Sequence, residues 1–180
     1  MIGNFNKCLE LLLKSEGGFT DDERDPGNKL PDGRPGSTML GVTQANWESF
    51  VGHPVTHNDM KALTHETVGN FYKSKYWNPC YCDVLPNGLD YLLFDFGVNA
   101  GPGRSVKLFQ QAIGVVPDGS IGPRTMAMVA ESNAANLIEK FSTEKESFYR
   151  GLKTFPVFGK GWLNRVEEVK RIALDMAKNS

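Results

Sequence analysis

A chain of 180 residues, 40% of them hydrophobic, has the length of one domain, or of one domain with a small appended lobe. Folding at that size buries about 70% of the extended-chain surface, so no disulfide or metal staple is needed, and three cysteines are too few for a disulfide scaffold. Twenty basic against twenty-one acidic side chains exclude a chain-wide positive field of the kind that nucleic acid or an anionic bilayer selects, and no apolar run approaches the roughly 18 residues of a membrane span.

The first element is a helix. Phe5, Cys8, Leu9, Leu12 and Leu13 recur at the spacing of one helical face, and Gly17-Gly18 supplies a stop. From Phe19 to about Thr38 the chain is rich in Asp, Gly and Pro and reads as an irregular loop. Short helices are predicted over residues 44–51, entered through Thr43, and over 66–75. Residues 90–98 are apolar enough for a buried helix. A second follows over 105–113, with Val106, Phe109, Ala112 and Ile113 inward. After the turn-rich 116–122, a helix begins near Arg124. Leu137, Ile138, Phe141, Lys145, Phe148, Tyr149 and Leu152 trace a long amphipathic helix, and Trp162, Val166, Val169, Ala173 and Met176 the last one. Alternating strand patterns are nearly absent, so the expected fold class is all-α. A boundary near residues 79–87 divides the chain into regions 1–88 and 89–180, unless these form one body.

Glu16 is the most informative position. The apolar face at 5, 9 and 12 continues onto 16, so a carboxylate stands where the pattern asks for an apolar side chain. Partial burial and the negative end of the helix dipole both favour a retained proton, which a general acid requires. The plain alternative is a helix-end glutamate turned into solvent. The loop beyond it offers Asp21, Asp22, Glu23 and Asp25. A calcium loop is excluded, because counting from Asp21 puts Pro26 where an EF-hand needs glycine. His53, His57, Cys80 and Cys82 lack zinc-site spacing, so no metal and no cofactor are expected.

Glu16-Gly17-Gly18-Phe19 resembles the Glu-Gly-Gly-Tyr signature that opens glycoside hydrolase family 108, the phage-type N-acetylmuramidases. The likeness continues through Asp25-Pro26-Gly27, Thr38-Met39-Leu40-Gly41-Val42-Thr43, Tyr76-Trp77, Leu85-Pro86-Asn87-Gly88 and the stretch from Phe94 to Pro102. It then reaches Asp118-Gly119-Ser120-Ile121-Gly122-Pro123-Arg124-Thr125 and Gly161-Trp162-Leu163-Asn164-Arg165-Val166. Phe19 stands in place of the usual Tyr, Met39 in place of Asn, and residues 28–36 form a longer segment than is typical.

The resemblance implies a lysozyme-like fold and a peptidoglycan hydrolase cutting the β-1,4 bond between N-acetylmuramic acid and N-acetylglucosamine. Glu16 would protonate the glycosidic oxygen. Asp25, nine residues on, has the spacing of the second carboxylate in related phage lysozymes, and Thr43 or Thr38 would help hold water. Asp25 capping a turn before Pro26 is the competing reading. Residues 109–125 resemble the core of peptidoglycan-binding modules, giving Asp118 and Arg124 as glycan contacts, although a purely structural corner capped by Thr125 fits the same residues. Asn99 either donates to an N-acetyl carbonyl or caps a helix, and Arg165 pairs with a buried acid. Trp47, Tyr72, Tyr76 and Trp77 stack on sugar or fill the core.

The expected partner is bacterial peptidoglycan, met by a monomer without nucleic acid or membrane insertion. With no signal-peptide core at its start, the chain is expected in the host cytoplasm when made, as a phage endolysin that reaches the wall on release. A lytic transglycosylase with a lone Glu, or a non-catalytic wall binder, are the alternative activities.

Overall fold

The computed structural model describes residues 1–180, which divide into two compact units: Asn6–Lys75, and Met1–Phe5 together with Tyr76–Ser180. The molecule is all-α apart from one small hairpin and has the lysozyme-like fold.

In the first unit, α1 (Phe5–Leu13) buries Cys8, Leu9, Leu12 and Leu13, the face read from the sequence. The hairpin pairs β1 (Thr38–Met39) with β2 (Val42–Thr43), antiparallel, with Met39 opposite Val42. Its two-residue turn has positive φ at both Leu40 (50°) and Gly41 (76°), the combination that suits the twist of two-residue hairpins. Helix α2 (Gln44–Val51) starts on Thr43, whose hydroxyl accepts from the Asn46 amide at 3.3 Å. The five-residue α3 (His57–Lys61) was not expected; it is held by a capping box between Thr56 and Asp59. Helix α4 (His65–Tyr72) has a similar box at Thr64 and Thr67 and runs into a wider turn at Lys73–Trp77. Phe71 packs edge-on against both Phe50 and Tyr72, at centroid distances of 5.6 and 5.4 Å.

The second unit contains α5 (Leu89–Ala100), α6 (Pro102–Ile113), α7 (Pro123–Glu131), α8 (Ala134–Arg150) and α9 (Phe155–Lys178). Helix α5 is buried from Leu89 through Gly97. Helices α8 and α9 form an antiparallel pair: Tyr149 stacks on Trp162 (5.3 Å), and Glu139 meets Lys170 at 2.7 Å farther along. Phe96, Phe109 and Phe141 interlock at the centre. Asp95, 1% exposed, pairs with Arg165, the buried acid anticipated for that arginine. Lys145 lies in the same interior, its Nζ 5.5 Å from the centre of the Phe96 ring. No helix is long and apolar enough to cross a membrane.

The last helix contains the traced residues Trp162 to Met176 and extends back to Phe155, whose ring packs onto Gly159, where any Cβ would come within 2.4 Å of it. Two expectations need correction. Thr125 does not cap α7; the N-cap is Gly122, and Thr125 is buried within the corner. Asn99 does not cap α5, which runs on to Ala100 and ends against Gly101.

Candidate functional site

Helix α1 ends at Leu13, so Glu16 stands three residues past the helix rather than in its last turn. The physical reason is local. The Ser15 hydroxyl donates to the Leu12 carbonyl at 2.9 Å, and the Ser15 and Glu16 amides bond to Leu12 and Leu13 in tighter i→i−3 geometry. The tightening swings Glu16 to a half-buried position. Its carboxylate lies against Gly41 at the tip of the hairpin. A Cβ on Gly41 would fall 2.7 Å from Glu16 Oε2 and 2.7 Å from the Tyr72 hydroxyl. That hydroxyl donates to the Leu40 carbonyl at 2.8 Å, pinning the turn from the side of α4. Leu40, a non-glycine residue in the left-handed region, is therefore held where the carboxylate sits, and backbone strain of this kind concentrates at functional positions.

The acidic loop is organised by Asn28 together with Thr20 and Thr38. Asn28 is 2% exposed; its amide nitrogen donates to the Asp22 carbonyl (3.0 Å), and its oxygen accepts from the Thr38 hydroxyl (2.7 Å). Thr20 and Thr38 exchange backbone hydrogen bonds of 2.9 and 2.8 Å, which ties the loop to β1. Of the loop acids, Asp22 is committed to Arg24, whose guanidinium and amide hold its carboxyl below the usual range. Asp21 lies 3.9 Å from His57. Asp25 caps the short turn Pro26–Asn28, accepting from the Gly27 amide at 2.8 Å. Asp25 and Thr43 meet over Gly27, where a Cβ would stand 3.2 Å from Asp25 Oδ1 and 3.3 Å from the Thr43 methyl. Within this one unit the chain thus gathers Glu16 with Gly41 and Tyr72, and Asp25 with Thr43. Tyr72 fills the core, one of its two expected places, but its hydroxyl bond to Leu40 had no sequence signal, and Asn28 reads as an ordinary loop residue until its partners are seen.

The other expected contacts belong to the second unit. Asn99 is exposed near the end of α5, and Arg124 is exposed in the first turn of α7. Arg124 lines a shallow cavity of about 220 Å³ with Val116, Asp118 and Ser120. Asp118 spends its carboxylate inside the corner, accepting from the Ser120 amide and from Gln110, each at 2.9 Å, and these bonds lower its pKa. Gln110, almost fully buried, is the hub: it also donates to Ser120 O (2.9 Å) and Thr125 Oγ1 (3.2 Å), and accepts from the Gly119 amide (2.9 Å). Tyr72 and Trp77 fill the core, 1% and 0% exposed. Cys8, Cys80 and Cys82 are buried and form no disulfide. No three His, Cys, Asp or Glu side chains converge as a metal site would require.

This helical body, with its one small hairpin and the Glu16 carboxylate just beyond the first helix, is of the lysozyme-like class. The family model described as glycosyl hydrolase 108 matches residues 9–101, and one described as a predicted peptidoglycan domain matches 104–167. The solved structure of Brucella abortus SagA is similar throughout: 36% identity, a TM-score of 0.84, all of this chain covered and 99% of that one. No curated protein matches. The chain belongs to the glycosyl hydrolase 108 family and is a glycoside hydrolase acting on peptidoglycan.

Proposed function

We propose that the protein is an N-acetylmuramidase that cleaves the β-1,4 bond between N-acetylmuramic acid and N-acetylglucosamine, with Glu16 as general acid. The observation that carries this reading is the Glu16 carboxylate seated against Gly41 under the Tyr72-pinned turn, in a chain of this family. A side chain packed on backbone and half withdrawn from water keeps a fixed aim at a glycosidic oxygen, and a proton delivered along that aim is worth about 10²–10⁴ in rate. Asp25 is the second carboxylate in this reading. Its Oδ1 is fixed by the Gly27 amide, which orients the group beside Thr43 for holding water or for countering the positive charge of the oxocarbenium-like transition state. Asn99 and Arg124 offer exposed polar groups to the glycan, while Asp118 shapes the corner that carries Arg124.

The test is the chemistry of the product. Purified peptidoglycan digested with the protein is predicted to yield muropeptides ending in a hydrated N-acetylmuramic acid. A 1,6-anhydro end would make the enzyme a lytic transglycosylase, and soluble fragments ending in N-acetylglucosamine would move the cut to the other glycosidic bond.

A further inference from the structure

The outer face at the start of α9 is turned to solvent. Val157 is 76% exposed and Phe158 54% exposed, among the most exposed large apolar side chains of the molecule. At 3.6 residues per turn, Lys160, Val157, Gly161 and Phe158 follow one another around the outside of the helix. Phe158 leads on to Trp162 (5.7 Å), which is stacked on Tyr149.

Gly161 is the informative residue. A glycine inside a helix is less favourable than alanine. Gly159 has a packing reason for being one, but no atom lies within 4 Å of where a Gly161 Cβ would be. The outside of the helix is therefore open at Gly161, with room for a close approach. The local sequence is one-sided in charge. No Asp or Glu occurs between Glu146 and Glu167, whereas Arg150, Lys153, Lys160 and Arg165 do. Arg150 and Arg165 are taken up by Glu146 and Asp95, leaving Lys153 and Lys160 exposed.

We propose that this face, Val157 and Phe158 flanking Gly161 with Lys160 on the same side of the helix and Lys153 in the turn that precedes it, docks a peptidoglycan strand. The apolar side chains and the glycine floor accept the C–H face of a pyranose ring, and the lysines meet the carboxylates of the stem peptides. The assignment rests on the reading of the chain as a peptidoglycan hydrolase and adds to it a place where the wall is held. The corner at Asp118 is a weaker choice, because its hydrogen-bonding groups are spent on one another. An anionic bilayer is disfavoured, since two exposed lysines fall short of the four to eight basic residues typical of lipid-binding clusters.

The experiment is co-sedimentation of the full chain, carrying Glu16→Gln to prevent lysis, with purified insoluble peptidoglycan. Gly161→Leu fills the floor while favouring the helix, so it should keep or raise Tm and weaken retention at least tenfold. Lys153→Ala with Lys160→Ala should weaken retention at low salt and lose that difference at high salt. Unchanged retention in both variants overturns the proposal while leaving the hydrolase reading intact. A parent protein that neither sediments with peptidoglycan nor, with Glu16 restored, releases fragments overturns both. Capture by phosphatidylglycerol vesicles, lost in Gly161→Leu while wall retention is unaffected, also overturns the proposal by making the face a lipid surface.

Discussion

Replacing Lys145 by Met should stabilise this protein, and by an amount that depends on pH. Lys145 is 1% exposed, with its ammonium over Phe96 and Phe141 and no closer anion than the Asp95 already paired with Arg165. Burial, only partly offset by the attraction of Asp95, lowers its pKa from the ordinary 10.5 to about 8. Each unit is worth about 1.4 kcal/mol, so a charged Lys145 costs the folded state about 3 kcal/mol at pH 7. Between the folded and unfolded pKa values the unfolded chain binds more protons, and stability rises with pH across that window; by pH 10 the cost falls to about 1 kcal/mol. Methionine fills a similar volume without the charge. Urea unfolding of parent and Lys145→Met should therefore show the variant about 3 kcal/mol more stable at pH 7 and about 1 kcal/mol more stable at pH 10. A variant less stable than the parent by the same margin at both pH values would refute the reasoning, since the lysine would then contribute by packing rather than cost by charge.

Gly41→Ala should leave the protein folded but lower peptidoglycan turnover by about 10²-fold, the scale of an ångström's misplacement of a reacting group, because the added methyl would displace the Glu16 carboxylate; near-parental turnover would separate the hairpin tip from catalysis. Asp25→Asn keeps an oxygen to accept from the Gly27 amide, so its Tm should stay near the parent's while turnover falls well below that of Asp22→Asn; equal rates for the two would remove Asp25 from the mechanism. Gln110→Ala strips the corner of its hub and should cost about 2–4 kcal/mol in urea unfolding, with a loss under 1 kcal/mol showing that water replaces the amide.

Much of this fold was legible because its signals are local. The apolar face of α1, the Thr43 cap on α2 and the buried run of α5 need only neighbouring residues to be read. The Thr56–Asp59 capping box was equally local and was missed because α3 is only five residues long. The start of α9 carries no apolar periodicity, because Gly159 and Gly161 interrupt it, and Gly159 is explained only once Phe155 is seen against it. In the site, Glu16 stood out as a carboxylate on an apolar face, yet its geometry comes from a two-residue hairpin too short to show alternation and from a leucine forced to positive φ. Tyr72, Asn28 and Gln110 act through partners 32, 10 and up to 15 residues away, a distance no periodicity reports.

The central claim is that Glu16 supplies the proton that breaks the glycosidic bond. Release of reducing ends from purified peptidoglycan by Glu16→Gln, an isosteric change that removes the ionisable group, tests it most directly. The account predicts a rate at least 10²-fold below the parent with the Tm unchanged. A Glu16→Gln protein working at more than about a tenth of the parental rate, on that same scale, would contradict it.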